Sequence, residues 1–191
     1  MMKIAYTMAS GRGDTDLLLA DVAQELKARG VKTCGTVQIN TDRPDTHRCD
    51  MDVKVLPDGP VVRISQSLGK EARGCRLDPS ALETAVVMAS EALRTGAEVL
   101  IVNKFGKHEA EGRGFRDLIA EALALDIPVL VGTNALNREA FEAFTGGEAV
   151  ALPPVVSQLL SWMLAPETTD LELISEQPIN PTLLQNRPER H

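Results

Sequence analysis

The sequence predicts an α/β fold: a three-layer, mostly parallel sheet with a β-hairpin insertion and a C-terminal extension. Three observations carry that prediction. Strand-like apolar runs alternate with amphipathic helices through residue 164. Two runs, 98–103 (EVLIVN) and 128–132 (PVLVG), are almost continuously apolar, as central parallel strands buried on both faces are. From 165 onward the chain turns rich in proline and polar residues. The expected organisation is therefore one α/β domain, 1–164, and an extension, 165–191. That extension is either flexible or an arm laid on a partner or on a second copy of the chain.

The elements follow in order. Residues 2–7 (MKIAYT) read as a short buried strand, followed by a loop of small residues. A helix begins near Thr15, with Leu18, Leu19, Val22 and Leu26 on one face, and stops at Gly30. Residues 31–39 form a second strand, and 40–49 (NTDRPDTHRC) are polar and turn-rich. The runs 51–56 and 61–65 flank Pro57-Asp58-Gly59-Pro60, a hairpin signature. Asp78 is placed to cap a helix with Pro79 at its first position, and Gly96 ends it. Strand 98–103 comes next, then a glycine- and charge-bearing loop, helix 115–125, strand 128–132, a short helix 137–145, strand 148–152 and a final helix 153–164.

Composition removes several functional classes. Hydrophobic residues at 43% and charged residues at 25% exclude a disordered chain, a collagen and a coiled-coil rod. No apolar run approaches the roughly 18–20 residues needed to cross a bilayer, and the N-terminus is too short in apolar residues for a secretory leader. A cytoplasmic location and no membrane partner are expected. Net charge is −7 and aromatic residues are 3%, which argues against nucleic acid as a partner. The three cysteines (Cys34, Cys49 and Cys75) are odd in number and too few for a disulfide scaffold.

In parallel sheets ligands bind beyond the carboxyl ends of the strands. Two loops fall there, 8–15 and 103–114. The first follows a strand and opens a helix, the layout in which backbone N–H groups surround an anion. Set on the pattern G-x-x-x-x-G-K-[ST], the stretch Met8-Ala9-Ser10-Gly11-Arg12-Gly13-Asp14-Thr15 keeps Gly13 and Thr15, but Met8 replaces the first glycine and Asp14 the lysine. At about 4 Å and an effective dielectric of about 20, two unit charges interact by roughly 4 kcal/mol, so this reversal opposes ordinary ATP binding unless another cation compensates. The plainer alternative is a tight turn with Asp14 or Thr15 as N-cap.

The second loop is Asn103-Lys104-Phe105-Gly106-Lys107-His108-Glu109-Ala110-Glu111-Gly112-Arg113-Gly114. Together, the two loops, the hairpin between them and Gly74-Cys75-Arg76-Leu77-Asp78 resemble the nucleoside-triphosphatases of the P-loop superfamily. They are closer still to an uncharacterised bacterial branch known by its neighbours in molybdate uptake. The resemblance covers about residues 2–155, and Asn103–Arg116 is its most specific part. It implies a P-loop type of fold and a small anion or a nucleotide, with Mg²⁺, as ligand. It places Ser10, Gly11, Arg12, Gly13, Asp14, Thr15, Asn103, Lys104, Lys107 and Arg113 at that ligand, with Thr15 as the metal-side hydroxyl. In active members of the family the second loop reads D-E-x-G-K-x-E; here the two acids stand as Asn103 and Lys104, so both motifs are degenerate and hydrolysis is expected to be weak or absent. The remaining catalytic candidates are Lys104, for electrostatic stabilisation, and Glu109, as general base. Glu109 as a helix-capping carboxylate is the competing reading. Asp14 and Lys104 either form an ion pair across the site or are unrelated changes; alternatively, Lys104 or Lys107 replaces the missing lysine from another direction. The other functions weighed are a non-enzymatic oxyanion-binding accessory protein of molybdenum metabolism, with molybdate as the oxyanion considered, and a scaffold acting through partners.

Lesser candidates are Arg63, Arg73, Arg76 and Arg116 as phosphate contacts, and His47, Cys49, Cys75 and His108 as zinc ligands without the usual tight spacing.

Overall fold

The computed structural model describes residues 2–42, 49–66 and 77–166, with backbone alone for 40–42 and 49. His47, Arg73, Cys75, Arg76 and nearly all of the C-terminal extension, 167–191, lie outside the described residues.

Thirteen elements are present among the described residues: β1 (Ile4–Thr7), α1 (Asp14–Ala28), β2 (Thr33–Asp42), β3 (Cys49–Val55), β4 (Val61–Arg63), α2 (Pro79–Arg94), β5 (Val99–Val102), α3 (Lys107–Ala110), α4 (Arg116–Ala124), β6 (Val129–Gly132), α5 (Arg138–Phe144), β7 (Val150–Leu152) and α6 (Val156–Leu164). They build one seven-stranded sheet in the order β4-β3-β2-β5-β6-β1-β7. β2, β5, β6, β1 and β7 run parallel, and β3 and β4 are antiparallel additions at one edge. This mostly parallel α/β sheet is compatible with a P-loop-like fold.

Successive side chains on a strand point to opposite faces, so the continuously apolar strands feed two cores. Ala5, Val99, Ile101 and Leu130 meet Leu19, Val22 and Leu26 of α1 and Leu159 and Met163 of α6. Ile4, Tyr6, Leu100, Val102, Val129 and Val131 face the other way, onto Leu82, Ala85, Ala89 and Leu93 of α2, Ile119 of α4 and Phe141 of α5. The apolar stripe expected on the first helix is therefore the seam of one core.

The local signals act as their chemistry requires. Asp78 accepts the N–H groups of Ser80 and Ala81, with Pro79 opening α2. Gly30, at a φ of 75°, closes α1 while Val31 N–H returns to the Leu26 carbonyl. The turn at 57–60 closes through Val55 N–H on the Pro60 carbonyl. Two details differ from the sequence reading. β2 runs on to Asp42 and β3 begins at Cys49, so part of the polar 40–49 stretch is antiparallel strand. An edge pair is held by its backbone ladder and tolerates polar side chains, so composition hides it. The second loop also contains a turn of helix, α3.

Candidate functional site

Loop 8–15 leaves the carboxyl end of β1. Gly13 stands before α1 in the left-handed region, φ 85°, which glycine adopts freely. Thr15 Oγ1 accepts the Ala9 N–H at 2.9 Å and ties the loop's start to the helix. Asp14 N–H reaches the Gly11 carbonyl at 3.3 Å. The Asp14 carboxylate folds back over Gly11: a Cβ built on Gly11 would lie 2.1 Å from Asp14 Oδ2. Gly11 thus leaves the space that the aspartate occupies, and the loop carries a negative charge against its own backbone. Arg12 and Asp14 are both exposed.

Behind the loop, α1, β5 and β2 are joined by a network that the sequence reading missed. Asn103 is buried; its Nδ2 donates to Asp16 Oδ1 at 2.8 Å and its Oδ1 accepts Gln38 N–H at 2.8 Å. Gln38 Nε2 also approaches Asp16 Oδ2, at 3.4 Å. Both ends of the Asn103 amide are therefore engaged in holding Asp16, the carboxylate one residue after Thr15. The sequence signal for Asp16 was an acid in the first turn of a helix opened by Gly13; nothing local marks Gln38. Gly132, at the end of β6, is the keystone: its carbonyl accepts Phe105 N–H at 2.7 Å, and a Cβ there would lie 2.1 Å from the Asn103 carbonyl oxygen.

The second loop folds over this frame. Phe105 is fully buried, stacked on Phe144 and edge-on to Phe141. Glu109 is 3% exposed and turned inward, accepting Gly106 N–H at 2.9 Å and Phe115 N–H at 3.4 Å. That geometry is a cap on α3 and a brace for the start of α4. His108 is buried and meets Glu83 Oε1 of α2 at 2.9 Å; the same oxygen accepts Gly114 N–H. Lys107 and Arg113 both pair with Glu111, and the Arg113 guanidinium holds the Glu111 carboxyl below its usual range. Lys104 is exposed and has no partner among the described residues. No ion pair joins it to Asp14.

Burial pushes the Glu109 carboxyl up from its ordinary 4.5, against the pull of the backbone N–H groups it accepts. Between the ordinary and the raised value the native chain holds this proton more tightly than the unfolded chain does. Stability from this group is therefore complete at low pH and is lost as pH rises through that window. Glu109→Gln is expected to flatten that slope in urea titrations from about pH 4 to about pH 7. Parallel profiles for the two proteins would remove Glu109 as its source.

The structure gathers Asn103, Lys104, Lys107, Glu109 and Arg113 around one cavity of about 540 Å³ on the α2 face of the sheet, and none of 8–15 lines it. The residues assigned to one ligand by the sequence therefore occupy two neighbouring places, linked through the Asn103–Asp16 bond. Arg63 is engaged by Asp50 and Asp52, and Arg116 lies over the Phe144 ring. No cluster of three metal-ligating side chains exists among the described residues.

No solved structure matches this chain. Over 150 residues it is 37% identical to the Molybdenum import ATP-binding protein ModC 2 of Bradyrhizobium diazoefficiens, an alignment covering 78% of this chain and 17% of that protein. The chain thus spans about a sixth of the length of the curated relative it matches. Residues 4–162, from the first strand through the last helix of the sheet, match the model of the family described as Protein of unknown function (DUF2478), and to that family the chain belongs.

Proposed function

We infer that this is a nucleotide- or phosphate-binding protein of the P-loop nucleoside-triphosphatase type whose site is degenerate and whose hydrolysis is weak or absent. The observation that carries the reading is the Asp14 carboxylate lying over Gly11 in a strand–loop–helix turn that keeps Gly13 and Thr15 of the anion-binding pattern. The cradle offers backbone donors and the positive end of the 15-residue helix α1. Asp14 subtracts from that field, and no cation among the described residues pairs with it. Electrostatic help, where it comes, comes from Arg12 or from Lys104, whose side chains are both exposed.

Magnesium prefers oxygen ligands and keeps several waters. The Thr15 hydroxyl and the carboxylates of Asp14 and Asp16 are the oxygens that fit it here, and a bound ion would neutralise phosphate charge. Asn103 is neutral and already bonded at both ends, so it offers a metal less than an aspartate would, in keeping with weak or absent hydrolysis. Glu109, buried and capping, would need to leave two backbone donors to serve as a base.

A second reading is favoured by the relative's name, a molybdenum import protein: an accessory protein that binds an oxyanion such as molybdate and acts without hydrolysis, in the cytoplasm, beside a transporter. Calorimetric titration of the full chain with ATP, GTP, phosphate and molybdate, each with and without Mg²⁺, separates the two. Micromolar nucleotide binding supports the first, molybdate binding without nucleotide binding supports the second, and silence from all four overturns both.

A further inference from the structure

The 540 Å³ cavity on the α2 face lies within the range of about 300–1,000 Å³ usual for small-molecule sites. Its lining is apolar at one end and polar at the other, in step with the strand order. On the β3 side Met51, Val53, Ile64, Leu77 and Leu82 form a wall and belong to one core cluster. Every charged residue of the lining comes instead from the second loop. Beyond β5 and β6 stand Lys104, Asn134 and Asn137. Two bonds keep their segments together: the Gly132 carbonyl accepts Phe105 N–H at 2.7 Å, and the Thr133 hydroxyl donates to the Phe105 carbonyl at 3.3 Å. Neighbouring strands lie about 4.8 Å apart, so with β2 between β3 and β5 the two ends are separated by roughly 10–15 Å.

The open polar groups of the second end are mostly donors. Lys104 is exposed and has no partner among the described residues. The other two cations, Lys107 and Arg113, share Glu111. Glu109 is met by the N–H groups of Gly106 and Phe115. Three cations against two carboxylates leave one positive charge unmatched. Asn134 Oδ1 accepts both the backbone N–H and the Nδ2 of Asn137, at 3.1 and 3.0 Å. Of the four N–H bonds and two oxygens of these carboxamides, three N–H bonds and the Asn137 oxygen therefore stay open. Donors outnumber acceptors whichever way the amides turn. An anion taken out of water needs such donors and an opposite charge around it. One unmatched cation suits a single negative charge, and a bare inorganic oxyanion would leave the wall without contact.

We propose that this cavity binds an organic monoanion with an apolar body, the anionic group at Lys104 and the Asn134–Asn137 pair and the body against the β3-side wall. The site does not use loop 8–15 and stands or falls apart from the reading of that loop.

The test is fluorescence titration of the full chain with two probes of like shape: anilinonaphthalene sulfonate, a monoanion, and phenylnaphthylamine, its neutral counterpart. The sulfonate is expected to occupy a single site, about tenfold or more tighter than the amine. Lys104→Glu, at an exposed position, should weaken the sulfonate about tenfold or more, leave the amine within about twofold and leave the melting temperature unchanged. Met51→Glu, at a half-buried position of the wall, should weaken both probes. Inorganic phosphate at millimolar concentration should not displace the sulfonate. Absence of sulfonate binding at millimolar concentration overturns the proposal. So does equal affinity for the two probes, binding at several sites, displacement by phosphate, or Met51→Glu sparing both probes. Sulfonate binding that responds to Asp14→Lys and ignores Lys104→Glu would place the anion in loop 8–15 and overturn it as well.

Discussion

Asp14→Lys is expected to raise affinity for ATP, titrated without magnesium, by about ten- to hundredfold. Asp14 Oδ2 and Oδ1 would lie 2.1 and 2.9 Å from a Cβ on Gly11, so its charge is carried in the hollow of the loop. A phosphate entering that hollow meets it at close range. The contact energy of roughly 4 kcal/mol at 4 Å and an effective dielectric of about 20 is an upper bound, because Asp14 is exposed and salt screens it. One to two factors of ten is what survives that discount. The substitution removes a repulsion and adds an attraction, so Asp14→Asn should give an intermediate gain. Gly13 and Thr15, which shape the loop, are untouched. Unchanged ATP affinity in both variants would show that the loop does not receive phosphate. The charge-reversal account of degeneracy would then fall, while the cavity on the α2 face would be unaffected.

How much of this was legible beforehand divides along range in sequence. Features set by neighbours within a few residues were readable: the fully buried runs of β5 and β6, the Asp78-Pro79 start of α2, the Gly30 stop of α1 and the turn at 57–60 each carry their cause in adjacent side chains. The two loops could be placed at one edge of the sheet because parallel topology puts them there. What joins them could not. The Asn103–Asp16 bond spans 87 positions, and its partner is a carboxylate that the motif pattern does not name. Glu109 was ambiguous because a base and a cap look alike in sequence; burial and two accepted N–H groups favour the cap. Reciprocal charge change at Asp14 and Lys104 leaves a pair and two unrelated changes equally open in the sequence, because reciprocal charges pair only when their side chains point at one another. The division of the assigned residues between a loop and a separate cavity depends on which face of the sheet each loop leans over, a question of packing that no pattern of residue types encodes.

Gly132→Ala should cost about 3 kcal/mol, the upper end for overpacking, and lower the melting temperature by about 6–12 °C in a domain of this size. The new methyl would sit 2.1 Å from the Asn103 carbonyl oxygen, 2.8 Å from Leu19 Cδ1 and 3.1 Å from Thr15 Cγ2. Leu19 can rotate, but a backbone carbonyl moves only with its strand. β5 would have to shift away from β6 where Phe105 N–H is held by the Gly132 carbonyl. That shift would carry Asn103 with it and loosen its hold on Asp16, behind loop 8–15. Gly132 is followed by Thr133, whose hydroxyl donates to the Phe105 carbonyl at 3.3 Å, so the second loop is bound to the end of β6 at two successive residues. The variant should therefore lose ligand affinity at the loop as well as stability, at a position that touches no ligand. A melting temperature within about 2 °C of the wild type would mean that β5 and β6 part there at little cost. Gly132 would then not be what registers the two loops against each other.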